Sequence, residues 1–282
     1  MRLRFLPLVA VVVVAIAGAA EQPVTDFVYP RSVAVDARGN IFVADKDAHA
    51  VFKFSGGGRE QTIVVQGEGK PQTPLYHMAG IAVNAAGNVA VSDPATRNVY
   101  RIIGGKPVPV ADPDPRKSPF DKPQALAFET TGDLLVPDLG RNALFRVSGS
   151  RIDTIATVEA PYGAGLDNTG NILVVSASHR RLMRIDHTGT VTTVFAGAPF
   201  EFPLAVAAHP DGSYIVVDGY AKAVFKVTAD GQLSTLVKGD PFRHPGGVAV
   251  EPGGSVVVVD PHAKALYRVT QEGSVRLLHQ AR

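Results

Sequence analysis

Five carboxylates recur at one place in a repeated pattern, and they are the first residues of this chain that could do chemistry. Six residues after Gly39, Gly87, Gly132, Gly170, Gly212 and Gly254 stand Asp45, Asp93, Asp138, Ser176, Asp218 and Asp260. A ring of carboxylates would suit calcium or magnesium, which take oxygen ligands. The spacing also fits a plainer role: an Asp where a strand gives way to a turn accepts backbone N–H groups that the turn leaves unpaired. Equivalent places in successive units are a module's width apart, too far to share one ion, so the capping role is the expected one. Histidines offer a different chemistry, since three converging imidazoles can hold zinc and leave a position open for water or substrate. His77 and His244 are the candidates for such a metal site. Nucleophilic catalysis lacks a motif: no Gly-x-Ser-x-Gly elbow occurs. Gly56-Gly57-Gly58 and Gly104-Gly105 are not followed by the Lys-Ser/Thr and helix of a phosphate loop. No catalytic residue is assigned.

What must position these residues is a repeat. Successive turn glycines lie 48, 45, 38, 42 and 42 residues apart, a period that means stacked or radially arranged modules. Within each unit the register holds. Six residues beyond each Asp or Ser come Val51, Val99, Leu144, Leu182, Val224 and Leu266, then an aromatic or Met, then Lys or Arg. Nine residues before each Gly sits Pro30, Met78, Pro123, Pro161, Pro203 or Pro245. Each unit reads as four strands, with the Gly in the first turn and the aliphatic-aromatic-basic tetrad on the third strand. Second strands such as Val256-Val257-Val258-Val259 are apolar at every position, which fits a sheet covered on both faces. An isolated unit would leave two apolar faces in water, at roughly 25 cal/mol for each Å² exposed. Six four-stranded antiparallel units that must cover one another predict an all-β, six-bladed β-propeller.

Pro-x-Gly/Ser/Ala-aliphatic-Ala-Val, then Gly-Asn-Ile-x-Val-x-Asp, then aliphatic-aromatic-basic-aliphatic resembles the NHL-repeat propellers. Residues 30–45 are the best match, and the pattern extends from Pro30 to Val269 and beyond. The units depart from the family where it commonly carries Asn, three residues after the Asp; here those positions are Ala48, Thr96, Arg141, His179, Ala221 and Ala263. A related group, the peptidyl-amidoglycolate lyases, are zinc enzymes with a similar propeller and place histidines directly after the strand-opening proline. The matching residues are Arg31, Ala79, Gln124, Tyr162, Leu204 and Gly246, none of them histidine.

In a propeller the loops before first strands and after second strands share one face. That places His49, His77, His179, His244 and His262 around one mouth and His187 and His209 on the opposite face. A mostly basic ring four residues beyond each Asp or Ser joins them: His49, Arg97, Asn142, Arg180, Lys222 and Lys264, with Arg141 and Arg181 beside it. Aromatic residues arrive from the preceding loops and strand starts, namely Tyr29, Phe120, Tyr162, Phe200, Phe202 and Phe242. Such a face could hold an acidic peptide, a carboxylated sugar or another anionic surface. The expected partner-binding set is Arg97, Arg141, Arg180, Arg181, Lys222, Lys264, Tyr162, Phe202 and Phe242. Two long loops, 55–74 and 104–122, are further contact candidates; the second is stiffened by Asp112-Pro113-Asp114-Pro115.

Arg2 and Arg4 precede an uncharged apolar run that ends in Ala17-Gly18-Ala19-Ala20, which reads as a secretory signal over residues 1–20. Residues 21–282 then form one propeller with repeats near 28–74, 75–119, 120–159, 160–199, 200–241 and 242–282. There is no cysteine, so stability rests on cores and strand ladders rather than disulfides. The chain carries 28 Lys and Arg against 26 Asp and Glu; without Arg2 and Arg4 the balance is zero, and the electrostatic footprint of a nucleic-acid binder is missing. The expectation is a secreted or periplasmic monomer with no membrane span after signal cleavage. It would bind a protein or carbohydrate, an anionic one included, with no cofactor and no chemistry of its own. The alternative is a metal-dependent propeller enzyme of lyase or lactone-hydrolase type, using a divalent ion such as zinc or calcium.

Overall fold

In the computed structural model, residues 26–281 are described; the signal segment expected over residues 1–20 lies outside them. Six four-stranded sheets follow one another along the chain, over residues 30–66, 80–109, 127–157, 161–196, 203–238 and 247–280, each with its strands paired in chain order and antiparallel. Blade 1 shows the plan: β1 (Pro30–Val35) lines the axis, β2 (Ile41–Asp45) and β3 (Ala50–Ser55) follow, and β4 (Glu60–Gln66) is outermost. The turn glycines do what the sequence requires of them, with Gly39 at φ 77° and Gly212 at φ 87°. All six second strands are buried at every residue. The expected all-β six-bladed propeller is therefore what the chain builds.

The apolar faces are buried in the seams between blades rather than within them. Blade 1 meets blade 6 through Val33, Val43 and Phe52 against Val257, Val259 and Leu266, and equivalent cores fill the other five seams. Among the described residues no strand is exchanged between first and last sheets. Phe27 instead wedges its ring into the seam, edge-on to Phe52 and Phe54 at 5.4 and 5.6 Å and against His279 at 4.7 Å. Asp26 pairs with the same His279 at 2.7 Å.

First strands crowd together at the axis, which explains the small residue two places after each strand-opening position. A Cβ on Gly80 would lie 2.5 Å from the Gln124 carbonyl oxygen, and one on Gly163 would lie 2.7 Å from the Ala205 Cα. Only small side chains let neighbouring backbones approach so closely. In blades 1, 4 and 5 the ladder slips by one residue at Arg31, Tyr162 and Leu204. Such bulges re-aim the extra side chain.

Candidate functional site

The recurrent aspartates are caps, as expected. Each is fully buried, and its oxygens are consumed by backbone N–H groups from two directions. Asp218 accepts from Glu201 and Phe202 in the loop before the blade, at 2.7 and 2.8 Å, and from Tyr220 and Ala221 in the turn after it, at 3.1 and 2.9 Å. Asp260 does the same with Arg243, His244, His262 and Ala263. Burial pushes the carboxyls of Asp45 and Asp93 up, against the pull of their N–H partners. Ser176 departs from the plan: its hydroxyl donates to the Glu159 carbonyl at 2.6 Å instead of accepting N–H groups, and the neighbouring Ala160 turns to φ 47°.

These caps orient the mouth. In the five Asp-capped blades the residue just before the strand-opening position hangs from the cap by its N–H, and in all six the residue just after that position borders the axis. At the top of the axis they enclose a cavity of about 190 Å³ whose wall includes Tyr29, Arg31, Gln124, Tyr162, Phe202 and His244, with no Asp or Glu. All six positions named for their want of histidine, Arg31, Ala79, Gln124, Tyr162, Leu204 and Gly246, border it. Deeper down the axis the wall becomes apolar, formed by first-strand residues such as Val35, Val83, Leu166 and Val250.

Along one side of the mouth the rings touch in series. Tyr29 stands 6.1 Å from His262, His262 stacks on His244 at 4.7 Å, His244 lies 5.5 Å from Tyr220, Tyr220 stacks on Phe202 at 4.8 Å, and Phe202 meets Tyr162 edge-on at 5.6 Å. This arc runs over blades 1, 6, 5 and 4, and Tyr220 keeps 61% of its surface exposed. His244 is held below the ordinary histidine value, first by burial and then by His262. His77 is lowered by burial and by the Arg31 charge.

Of the expected partner-binding residues, Tyr162 and Phe202 border the cavity. Phe242 does not: it is 2% exposed and packs edge-on against Tyr267. It occupies the third place before the strand-opening residue, where Phe27, Leu75, Phe120, Val158, Phe200 and Phe242 are all buried plugs of the seams. The loop aromatics thus divide by register, Phe120, Phe200 and Phe242 into the core, Tyr29 and Phe202 into the mouth. Arg97, Arg180, Lys222 and Lys264 sit farther out. With His49 and Asn142 they share a left-handed backbone at φ 49–53°. The carbonyls of Arg180, Lys222 and Lys264 accept N–H groups from the end of the outermost strand. Arg97 pairs with Asp121 at 3.1 Å, and Arg141 donates to the Pro119 carbonyl. Arg180, Arg181, Lys222 and Lys264 are exposed, and no ion pair involves them among the described residues.

His187 and His209 lie on the opposite face, as expected. His209 is buried and fixed between Asp211 and the Gly254 carbonyl. The sequence reading names Arg31 and Gln124 only as places that lack histidine, and it omits Tyr220. The signal for all three was positional: one residue after the strand-opening site, or two after the cap.

Divalent metal does not suit this donor set. Among the described residues no three His, Asp or Glu side chains are close enough to hold an ion, the caps are spent on backbone N–H groups, and a guanidinium borders the cavity.

The NHL repeat family model matches residues 27–54. The first blade carries an NHL repeat. No curated protein sequence matches the chain. Solved structures similar to it include a gluconolactonase from Xanthomonas campestris, 13% identical, covering 89% of this chain and 87% of that one with a TM-score of 0.72. A virginiamycin B lyase from Staphylococcus aureus is 16% identical over 89% and 84% of the two chains, with a TM-score of 0.67. A chain of a nidogen–laminin complex is 13% identical over 83% and 90%, with a TM-score of 0.69. At such identities the likeness is one of fold. Two of these neighbours are named as enzymes and one comes from a protein complex, so the fold alone does not choose between catalysis and binding.

Proposed function

We propose that this propeller is an exported binding protein that takes a carbohydrate at its mouth, without chemistry of its own. The observation that carries the reading is the unbroken series of six rings from Tyr29 to Tyr162. Flat aromatic faces held in place by buried caps suit the flat, apolar faces of sugar rings, and rigid rings lose little entropy on binding. Export rests on the signal-like residues 1–20; no helix among the described residues is long and apolar enough to cross a membrane.

Glycan-array binding with purified protein tests the reading. Retention of a glycan by the wild type and its loss in Phe202→Ala and Tyr220→Ala supports it; no retained glycan, or retention indifferent to both substitutions, overturns it. The second reading is a protein partner. It draws on the exposed, ion-pair-free cations Arg180, Arg181, Lys222 and Lys264 on the outer rim. Charge reversal there abolishes binding of an acidic protein partner but leaves glycan retention alone. The metal-dependent enzyme is the reading least supported by the donor set, and elemental analysis of the purified protein finding stoichiometric zinc or calcium would restore it.

A further inference from the structure

Arg31 stands where nothing in the fold needs a charge. It is the bulged residue at the start of β1, and the slipped ladder turns its side chain toward the axis. Its guanidinium donates to the Gln124 Oε1 at 3.1 Å, and the Gln124 amide is itself fixed by donating to the Lys122 carbonyl at 3.2 Å. Gln124 is 5% exposed and comes from blade 3, across the axis from blade 1. One neutral acceptor leaves most of the five guanidinium N–H donors free. Among the described residues no ion pair involves Arg31, and no carboxylate borders the cavity it faces.

A charge so enclosed and so poorly matched is costly unless something supplies the opposite sign. Burial lowers the pKa of Arg31 from its ordinary value, yet arginine stays charged across the working pH range. The Arg31 charge in turn helps keep His77 neutral. Nearby hydroxyls and rings complete the setting: Tyr29 and Tyr162 flank the guanidinium, and Phe202 borders the same cavity. Planar, forked donors facing an acid-free pocket match the two oxygens of a carboxylate.

We propose that the cavity at the top of the axis is a carboxylate site, in which Arg31, steadied by Gln124, takes the acid group of a ring-bearing ligand whose body lies against Tyr162 and Phe202. This deepens the binding reading above and rests on it for the ring-bearing body, whereas the carboxylate contact rests on Arg31 alone. Both a uronic acid and an aryl carboxylate carry this chemistry, so the test includes both.

Calorimetric titrations compare D-galacturonate with D-galactose, and 4-hydroxybenzoate with 4-hydroxybenzyl alcohol, on wild type, Arg31→Met and Arg31→Lys. The acid of at least one pair binds the wild type about tenfold more tightly than its neutral partner, as a charge-assisted pair predicts; the pair that responds identifies the source. Arg31→Met abolishes that preference, and Arg31→Lys keeps part of it, because ammonium lacks the fork. In parallel, sodium acetate is compared with sodium chloride at equal ionic strength. Acetate raises the melting temperature of the wild type above the chloride value and gives Arg31→Met no such increment. Equal binding of acid and neutral members, or an acetate increment that persists in Arg31→Met, overturns the carboxylate site while leaving the carbohydrate reading intact. An Arg31-dependent acetate increment without binding of either ring pair upholds the carboxylate contact and overturns the ring-bearing body. Arg31→Met exchanges a half-buried charge without an ion-pair partner for an apolar side chain of similar length, so a folded variant is expected, and circular dichroism checks it.

Discussion

The two sides of the mouth are laid out on one backbone plan and differ in nearly everything else. Over blades 4, 5 and 6 the positions around the opening hold five rings, Tyr162, Phe202, Tyr220, His244 and His262, beside Ala160, Ser178, Leu204 and Gly246; over blades 2 and 3 the same positions hold a single ring, His77, beside Ala79, Ala95, Lys122, Gln124 and Gly140. The Asp caps beneath them are alike, since Asp138 binds the N–H groups of Asp121, Lys122 and Arg141 just as Asp218 binds those of its own loop and turn; blade 4 alone differs, with Ser176 in the cap position. In the five Asp-capped blades the cap is therefore constant while the chemistry varies at the neighbouring positions. A repeated residue in such a fold reports on folding, and a position whose residue changes from unit to unit reports on binding.

That contrast is broken most severely at the caps. Asp218→Ala and Asp138→Ala each strand buried N–H groups, and each should cost about 2–4 kcal/mol in urea unfolding. Their loss separates in binding: Asp218→Ala also frees Phe202 and weakens glycan retention beyond what the remaining folded fraction explains, whereas Asp138→Ala does not. A smaller effect comes from the rings. Phe202→Ala removes stacking worth about 1 kcal/mol, a several-fold loss of affinity in calorimetry, while Lys122→Ala on the facing side leaves affinity unchanged.

Acid sharpens the comparison further, because each side holds one histidine with a lowered pKa, His77 and His244. Such a histidine is neutral in the fold and takes up a proton more readily when unfolded. Its contribution is intact above the ordinary value of about 6.5 and is lost as pH falls from there toward the folded value. The melting temperature should decline across that window, and His77→Phe and His244→Phe should each flatten part of the slope. The least effect belongs to the outer rim: Arg97→Ala, which breaks an exposed pair with Asp121, should move stability by less than about 1 kcal/mol.

The fold was legible because its causes are periodic. Turn glycines, caps and wholly apolar second strands recur without insertion over the same interval, and each demands one local geometry. The mouth was legible only in part. Tyr162 and Phe202 could be placed there from strand direction, but Phe242 could not be told from Phe202 by residue type. The distinction lies in register, two places along a loop, where one ring enters the seam and the other clears it. Ser176 shows a second limit: a hydroxyl can donate, so replacing a carboxylate reversed the polarity of the contact instead of weakening it. Arg31 escaped notice because its setting depends on a bulge and on Gln124, which is 93 residues away in the chain.

Among the described residues the seam between blades 1 and 6 is sealed by side chains, with Phe27 seated against His279 and no strand crossing over. It therefore differs little from the five other seams, and the order in which the blades are threaded matters less than their number. A circular permutant opened in the loop at residues 197–202, with the present ends joined by a short flexible linker, should close around the same axis and keep the same opening. A permutant that instead polymerises would mean that covalent order, rather than the fit of neighbouring faces, holds the circle shut.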